Sequence, residues 1–356
     1  MDKSGHQRRG HDILISIVNF RTAKHCISCL ASLVTERAAA PGFRVIVADG
    51  HSDDGSVETL AKWISESGHA HWIRVLPLGM NGGFGWAHNQ VMLRALQSDN
   101  PPAFIYFLNP DTVLETGAIA ALRRAFDQDP EVGCVGSQMI NGEGGLQPAG
   151  FRLATVRTEF ARGAHTDMLV RMLLAKHPLV AADGDKRDIE AVSGASFMVR
   201  VDALHRVGLF DTGFFLYFEE FEWMRRFRAH SWKIAHEPMS RVHHIGGVAT
   251  KLSRDRKILA QSPRPFFWYQ SQRRYLYRTL GGTRAKLAGM AWFLGYLLIA
   301  WPRALLSRGV RSRLVKNEGR DMLRTWLASD RFDRQAFIPF PTDPIDEPPA
   351  WMKRQK

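Results

Sequence analysis

Several short clusters in this chain of 356 residues combine the residue types and spacings that chemistry requires. Asp49-Gly-His-Ser-Asp-Asp-Gly-Ser56 offers an acid that can accept hydrogen bonds from a base or ribose, with Ser52 and Asp54 suited to cap a following helix. A plain polar turn would use the same residues. Asn81-Gly-Gly-Phe-Gly-Trp-Ala-His-Asn89 has glycines that admit a close ligand, followed by a helix start whose N–H groups suit a diphosphate. It lacks the third glycine of a dinucleotide fingerprint, and an asparagine at each end exceeds what a helix entry needs. Asn109-Pro-Asp111 supplies amide and carboxylate oxygens of the kind a hard divalent cation takes, although the tripeptide is also an ordinary turn. Phe214-Phe-Leu-Tyr-Phe-Glu-Glu-Phe-Glu222 sets three carboxylates among aromatic rings. Apolar surroundings raise a carboxyl pKa and favour proton abstraction from a hydroxyl; acids at a helix start are the alternative explanation. In His243-His-Ile-Gly-Gly247 the imidazoles could ligate a cation or contact phosphate.

The intervening residues predict elements that carry these clusters to a common edge. Ile13–Asn19 reads as a buried strand, followed by a helix from Thr22 to about Thr35. Arg44–Ala48 is a second strand ending at Asp49, with a helix from Ser56 to about Ser67. Trp72–Leu76 is a third, with a helix from about Trp86 to Leu96. Ala103–Leu108 is a fourth, ending at Asn109, with a helix from Thr116 to about Phe126. Alternation of this kind predicts an α/β fold, a mostly parallel sheet flanked by helices, with ligands at the carboxyl ends of the strands. The pattern loosens from about 132 to 191, with an uncertain helix near 167–176, and a strand-like Ser193–Arg200 follows.

In their order along the chain these clusters resemble the family-two glycosyltransferases, within them the bacterial rhamnosyltransferase-like branch. The matching pieces are Ile15-Ser-Ile-Val-Asn19, Asp49–Ser56, Asn81-Gly-Gly-Phe-Gly85, Leu108-Asn-Pro-Asp111, Ser193-Gly-Ala195, Phe210-Asp211, Phe215-Leu-Tyr217, Glu219-Glu220 and His243-x-x-Gly246, spanning about residues 13–250. The resemblance implies a GT-A-type fold over residues 11–250, with a donor half to about 140 and an acceptor half beyond it. It implies that Asn19 and Asp49 sit at the nucleobase, and that Asn81, Gly82 and Gly83 line the donor pocket. Asn109 and Asp111 take the place of the D-x-D motif. Asp111 is then the metal ligand for Mg2+ or Mn2+, with Asn109 beside it and His243 completing the metal or diphosphate site, His244 being the alternative. Glu220 falls where the family has its base, usually an aspartate after a glutamate. The longer side chain leaves Glu219 and Glu222 open as alternatives. Ser193, Gly194 and Glu222 fall on the acceptor side. Gly50, where asparagine is common, is a second departure. The implied reaction is inverting transfer of a sugar from a nucleotide diphosphate, dTDP-rhamnose for this branch, to a glycan or a polyprenyl-diphosphate-linked acceptor in cell-surface polysaccharide synthesis.

Charge separates the chain into unlike parts. Residues 1–250 hold 26 Lys/Arg against 27 Asp/Glu, whereas residues 251–356 hold 22 against 8. A block this basic attracts nucleic acid, acidic lipid or a phosphorylated substrate. Within it Leu287–Pro302 is uncharged over 16 residues, below the roughly 20 of a spanning helix, and is flanked by Arg284, Lys286 and Arg303. With Trp292, Trp301 and Arg273, Arg274, Arg308, Arg311 and Arg313, it predicts a helix lying on an anionic membrane surface at the cytoplasmic face; a buried helix of a bundle is the alternative. Nucleic-acid binding through Phe266, Phe267, Trp268 and Tyr269 would leave the earlier motifs unexplained, so no nucleic-acid partner is expected. A glycosyltransferase-like scaffold without turnover is a third reading that Glu220 permits. Cys26 and Cys29 fall within the first helix, and with Cys134 they are too few for a zinc site. Residues 1–10 read as a disordered leader, 251–335 as a helical basic region, and 336–356 as an extended, mobile proline-rich tail.

Overall fold

A computed structural model of the chain describes residues 12–39, 42–165, 179–180, 189–246, 263–311 and 314–355. The leader, the helix expected near 167–176 and the start of the basic region lie outside the described residues. Chain order runs β1 (Ile13–Asn19), α1 (Ala23–Ala39), β2 (Phe43–Asp49), α2 (Ser56–Glu66), β3 (Ile73–Pro77), α3 (Phe84–Leu96), β4 (Phe104–Leu108), β5 (Thr112–Leu114) and α4 (Ala118–Gln128). Next come β6 (Val132–Ile140), β7 (Leu146–Gln147), β8 (Gly150–Phe151), α5 (Val156–Gly163), β9 (Leu179–Val180), β10 (Ala191–Val192), β11 (Ser196–Arg200), α6 (Val201–Val207), α7 (Glu219–Ala229) and β12 (Lys233–His244).

The main sheet is ordered β3-β2-β1-β4-β11-β6-β12-β5, with β7 paired to β6. Its first half, β3-β2-β1-β4, is parallel throughout, as the alternating pattern requires. The second half is mixed: β11 runs antiparallel to both neighbours, and β12 is parallel to β6 but antiparallel to β5. Strand alternation divides the core. Ile13, Ile15 and Ile17 pack with α1 and α4 on one face, while Leu14 joins Val91, Phe107, Phe197 and Trp223 on the other. Burial on both faces explains why β1 and β4 read as nearly continuous apolar runs.

Register sets the site. Asn19 lies opposite Asp49, and Asp49 opposite Pro77, while Ile17 lies opposite Leu108. The carboxyl ends of β1, β2, β3 and β4 therefore open on one edge.

The last part of the described chain wraps this core. Helix α8 (Phe266–Leu280) precedes α9, a continuous helix of 25 residues from Gly282 to Leu306 with a π-helical turn at Tyr296–Ala300. Then come α10 (Arg308–Arg311), α11 (Glu318–Leu327) and α12 (Arg331–Arg334). Glycine permits a close crossing of α5 and α9: a Cβ on Gly163 would sit 2.0 Å from the Trp292 carbonyl oxygen, and one on Gly295 would sit 2.2 Å from that of Phe160. Helix α9 is longer than the 16-residue apolar run suggested and is, by length and composition, sufficient to cross a membrane. One of its faces is packed; Ala285, Ala288, Trp292 and Ala300 are fully buried.

Two arginines expected to face lipid are instead internal. Arg274 is fully buried, binds Asp211 through both carboxylate oxygens at 2.7 Å, and donates to the Phe332 and Gln335 carbonyls. Arg273 is buried against Asp333 at 2.6 Å and bonds the Thr325, Ala328 and Ser329 carbonyls. A guanidinium has five fixed donors, and here carbonyl ends of helices and turns, with the two aspartates, take those of the terminal nitrogens. The aromatic run at 266–269 is likewise committed to packing: Tyr269 is fully buried, and Trp268 meets Phe218 and Arg264.

The tail beyond 336 is neither loose nor extended throughout: it turns at 341–346, ends in a 3-10 helix at Ala350–Gln355 and is pinned to the core. Leu209 N–H donates to the Pro339 carbonyl and Thr212 N–H to that of Phe337, each at 2.8 Å.

Candidate active site

At the β1–β2 edge the side chains of Asn19, Asp49, Ser52 and Thr22 form a closed network. Asn19 Nδ2 donates to Asp49 Oδ2 at 2.7 Å, the Ser52 hydroxyl donates to the same oxygen at 2.7 Å, and Ser52 N–H donates to Oδ1 at 2.8 Å. Thr22 donates to Asn19 Oδ1 at 2.8 Å. Asp49 is only 1% exposed, so its carboxylate shapes the floor of the pocket through these bonds. A Cβ on Gly50 would meet only ordinary contacts, 3.5 Å from the Asn19 carbonyl and 3.9 Å from Asn81 Oδ1. The missing side chain leaves space between the two asparagines.

The glycines after Asn81 make a close approach, though chiefly to protein. A Cβ on Gly82 would fall 2.2 Å from the Trp86 ring, and one on Gly83 only 1.9 Å from the Phe215 carbonyl oxygen. Gly83 has φ +89°, and Phe84 N–H donates to that carbonyl at 3.1 Å. Asn81 Oδ1 accepts from Gly83 N–H at 3.2 Å. Helix α3 therefore begins at the sheet edge with no side-chain cap, its positive dipole end there and the Phe84 N–H taken by the Phe215 carbonyl. Asn89, expected to share the ligand site, is internal: it exchanges two hydrogen bonds with the Phe210 backbone, at 2.8 and 3.0 Å.

At the β4 edge, Asn109 N–H donates to the Ala195 carbonyl at 2.9 Å, joining the Asn-Pro-Asp turn to the Ser193-Gly194-Ala195 loop. Asp111 is 6% exposed; Oδ2 accepts from Gly246 N–H at 2.9 Å and Oδ1 lies 3.3 Å from His244 Nε2. Burial alone would raise this carboxyl, but the His244 and Gly246 contacts outweigh it and hold the pKa below the ordinary aspartate value. Asn109 Nδ2 lies 3.4 Å from the same imidazole nitrogen. His243 points elsewhere, with Nε2 2.9 Å from Glu115 Oε1 on the half-exposed side of β12. Alternation along the strand is the reason: buried Val242 and His244 share a face, and His243 takes the other. Sequence held this signal, because an apolar residue immediately before the His pair marks the inward side. His244 is thus the residue beside Asp111.

Among the described residues no three of His, Cys, Asp and Glu converge as a complete cation site. Asp111 and His244 do fit one side of a Mg2+ or Mn2+ sphere, a carboxylate with an imidazole 3.3 Å away; the other ligands would have to be diphosphate oxygens and water.

The acids of α7 separate into three environments. Tyr217 and Phe218 both have left-handed φ, 74° and 70°, unusual for aromatic residues, and this turn drives Glu219 and Glu220 into the first turn of the helix. Glu219 is buried against α3, its Cγ 3.5 Å from where a Gly85 Cβ would lie; its Oε2 has no hydrogen-bond partner among the described residues. Burial, reinforced by Glu220, pushes its pKa well up. Glu220 is part-exposed and lies against the loop at Gly194, 3.1 Å from that glycine's Cβ position. Burial raises its pKa to about 7 against the backbone N–H bonds that lower it. Glu222, expected on the acceptor side, is instead fully buried and paired with Arg226 at 2.8 Å and Arg225 at 3.3 Å. Arg226 also binds the Val207 and Leu209 carbonyls. The i, i+4 spacing of Glu222 and Arg226 was a legible sign of this structural role.

Contacts therefore link the clusters in series: Gly83 beside Asn81 to Phe215, the α7 acids to Gly85 and Gly194, and the Gly194 loop through Ala195 to Asn109, Asp111 and His244. An uncapped helix start and an Asp–His pair thus stand at the strand ends, with a carboxyl of raised pKa against the adjoining Gly194 loop. The fold is that of a GT-A-type glycosyltransferase. The sequence pattern of the family described as "Glycosyltransferase like family 2" matches residues 11–273, and the chain belongs to that family. It is 24% identical over 324 residues to an N-acetylglucosaminyl-diphospho-decaprenol L-rhamnosyltransferase of Mycobacterium tuberculosis, across 87% of this chain and 99% of that protein. In fold it is similar to a Pyrobaculum calidifontis mannosyltransferase solved with GDP-mannose and Mn2+, at TM-score 0.53 and 13% identity, covering 90% of this chain and 84% of the other. It is also similar to residues 1–349 of Staphylococcus aureus TarS with UDP-GlcNAc, at TM-score 0.52 and 13% identity, covering 88% and 79%.

Proposed function

We propose that this glycosyltransferase inverts the anomeric centre of a nucleotide-diphosphate sugar, with dTDP-rhamnose as donor and a sugar hydroxyl of a polyprenyl-diphosphate-linked acceptor as nucleophile. The observation that carries the reading is a run of contacts: Glu220 lies against Gly194, the Gly194–Ala195 loop holds Asn109, and Asp111, paired with His244, follows in the same turn. The Mycobacterium relative, named for rhamnosyl transfer to a lipid-linked acceptor, supports the donor and acceptor classes.

In this reading Glu220 takes the proton from the acceptor hydroxyl while that oxygen attacks the anomeric carbon. The bond to the diphosphate breaks on the opposite face, the nucleoside diphosphate departs, and one displacement inverts the centre without a protein nucleophile. The positive dipole end of α3 stabilises the charge that develops on the leaving diphosphate. Asp111 and His244 would hold a Mg2+ or Mn2+ ion there, whose chemistry would be neutralisation of that same charge. The mannosyltransferase of similar fold, solved with Mn2+, supports the cation. Asn19, Asp49 and Asn81 bound the nucleoside end, and Ser193 and Gly194 bound the acceptor end beside Glu220.

The outward face of α9 supports work on a lipid-borne acceptor at the cytoplasmic membrane surface. Leu287, Met290, Leu294, Leu297, Leu298, Trp301 and Leu305 recur at helical spacing and are 48–67% exposed, with Arg284, Lys286 and Arg303 exposed at the ends. Because the opposite face is packed on protein, this helix lies along the surface instead of crossing it.

The test is transfer from dTDP-rhamnose to a short-chain polyprenyl-diphosphate-GlcNAc acceptor, with and without Mn2+. Glu220→Gln should keep donor affinity and lower kcat by about 10²–10⁴, the range of a lost general base. Asp111→Ala and His244→Ala should weaken metal-dependent donor binding, and His243→Ala should leave it within twofold. Full activity in Glu220→Gln, or equal effects at the two histidines, would sink these assignments.

A further inference from the structure

One stripe of α3 is occupied along its whole length by the segment 341–351. Gln97, Arg94, Gln90 and Trp86 recur three or four residues apart, and Gly82 lies one turn further on. Gln97 Nε2 donates to the carbonyls of Pro341 and Asp343 at 3.0 and 2.8 Å. Arg94 grips both carboxylate oxygens of Asp346 at 2.8 and 2.7 Å, and Gln90 Oε1 accepts from Asp346 N–H at 2.9 Å. Trp86 Nε1 donates to the Glu347 carbonyl at 2.7 Å. At the last rung Trp351 Nε1 donates to the Gly82 carbonyl at 2.8 Å. The Trp351 ring meets Phe215 edge-on with centroids 4.9 Å apart, and its backbone N–H bonds the Thr212 carbonyl at 3.1 Å.

The rung at Gly82 matters because two successive glycines have few conformational limits of their own and hold a single geometry only when neighbouring groups impose it. Asn81 Oδ1 takes the Gly83 N–H, and the Phe215 carbonyl takes the N–H of Phe84. Trp351 takes the Gly82 carbonyl, and through Phe215 it also touches the segment against which Gly83 packs. We propose that Trp351 is a positioning residue of the donor site: the strap from Pro341 to Trp351 clamps α3 and fixes the Gly82–Gly83 peptide, so that the helix start meets the nucleotide diphosphate in one orientation. This rests on the reading of the α3 start as the diphosphate site.

The experiment compares the full chain with Trp351→Phe, which keeps a ring against Phe215 and removes the N–H donor, and with Arg94→Met, which loosens the strap at mid-length. The probes are dTDP and dTDP-rhamnose with Mn2+, and hydrogen–deuterium exchange at Gly82–Trp86. In Trp351→Phe the Kd for dTDP and the KM for the sugar nucleotide should rise about three- to tenfold, the effect of one net hydrogen bond. Its kcat should stay within twofold, and exchange at Gly82–Trp86 should quicken without nucleotide present. Arg94→Met should shift both readouts in the same direction by less. A variant that binds both probes as the wild type does overturns the inference, as does a fall in kcat with KM unchanged. A variant whose weaker binding matches a general loss of melting temperature, without faster exchange confined to Gly82–Trp86, also overturns it. If the wild-type chain itself binds neither probe, the reading of the site falls and takes this inference with it; wild-type binding beside an unaffected variant removes this inference alone.

Discussion

Glu219, Glu220 and Glu222 share one helical turn and one charge type, yet their surroundings assign them different properties. Glu222 is tied to two arginines; burial would raise its pKa, but the guanidinium charges outweigh this and hold it low. Glu219 and Glu220 have no cation in that position, and burial pushes both up, Glu220 to about 7. Two pH effects of opposite direction follow for Glu220. As a base it must be ionised, so kcat/KM should climb as pH rises through about 7. For stability, the folded state binds the proton more tightly than the unfolded chain, whose carboxyl titrates near the ordinary glutamate value of 4.5. The contribution is therefore fully present below about pH 4.5 and is lost as pH rises through about 7. Glu220→Gln should accordingly be more stable than the wild type at pH 8, by on the order of 1–2 kcal/mol after discounting for partial exposure, and indistinguishable from it near pH 4.5. Urea melts at the two pH values measure this; a wild type that gains stability between pH 5 and 7 relative to Glu220→Gln would contradict it.

At the scale of elements, the loop at Phe210–Gly213 is a junction between α3 and α8. Asn89 holds its backbone on one side and Arg274 holds Asp211 on the other. The same loop leads directly to Phe215, whose carbonyl seats the Gly83 turn. Removing one charge of a buried pair leaves the other unpaired, so Asp211→Asn should lower unfolding stability by about 3–5 kcal/mol. Read by denaturant unfolding, a loss under about 1 kcal/mol would show that water or another group compensates Arg274. Arg274→Met with Asp211→Leu should recover part of the loss, because matched apolar replacement relieves both desolvated charges.

Over the whole molecule, the basic excess has two destinations. Arg273 and Arg274 are spent internally on carbonyls and acids, while Arg284, Lys286, Arg303, Arg311 and Lys316 remain exposed around the apolar stripe of α9. Leu323 and Leu327 of α11 are also exposed. Replacing Leu297, Leu298 and Leu305 with serine should reduce co-sedimentation with vesicles containing anionic lipid by about tenfold or more, since each buried aliphatic side chain contributes roughly 1.5–3 kcal/mol at full burial. Turnover of a water-soluble acceptor analogue should be unchanged. Undiminished vesicle binding would place the membrane contact elsewhere.

Sequence alone determined what short-range physics controls. β-branched runs bounded by turns placed β1, β2 and β4 within a residue or so, and the alternation of strand and helix dictated a parallel half-sheet with its polar clusters at one edge. Residue types at those ends put Asp111 forward as a candidate cation ligand, and the family resemblance put Glu220 forward as a candidate base. Tertiary structure decided everything that depended on which side chain found a partner. The guanidinium of Arg274 looks identical to its neighbours along the chain; only Asp211, 63 residues away, and the carbonyls of Phe332 and Gln335 remove it from the surface. The same holds for the tail, whose prolines predict extension but say nothing of the stripe on α3 that receives it. Local backbone preferences act within a few residues, whereas pairing, burial and dielectric are set across separations of tens to hundreds of residues, and on those the chemistry of this site depends.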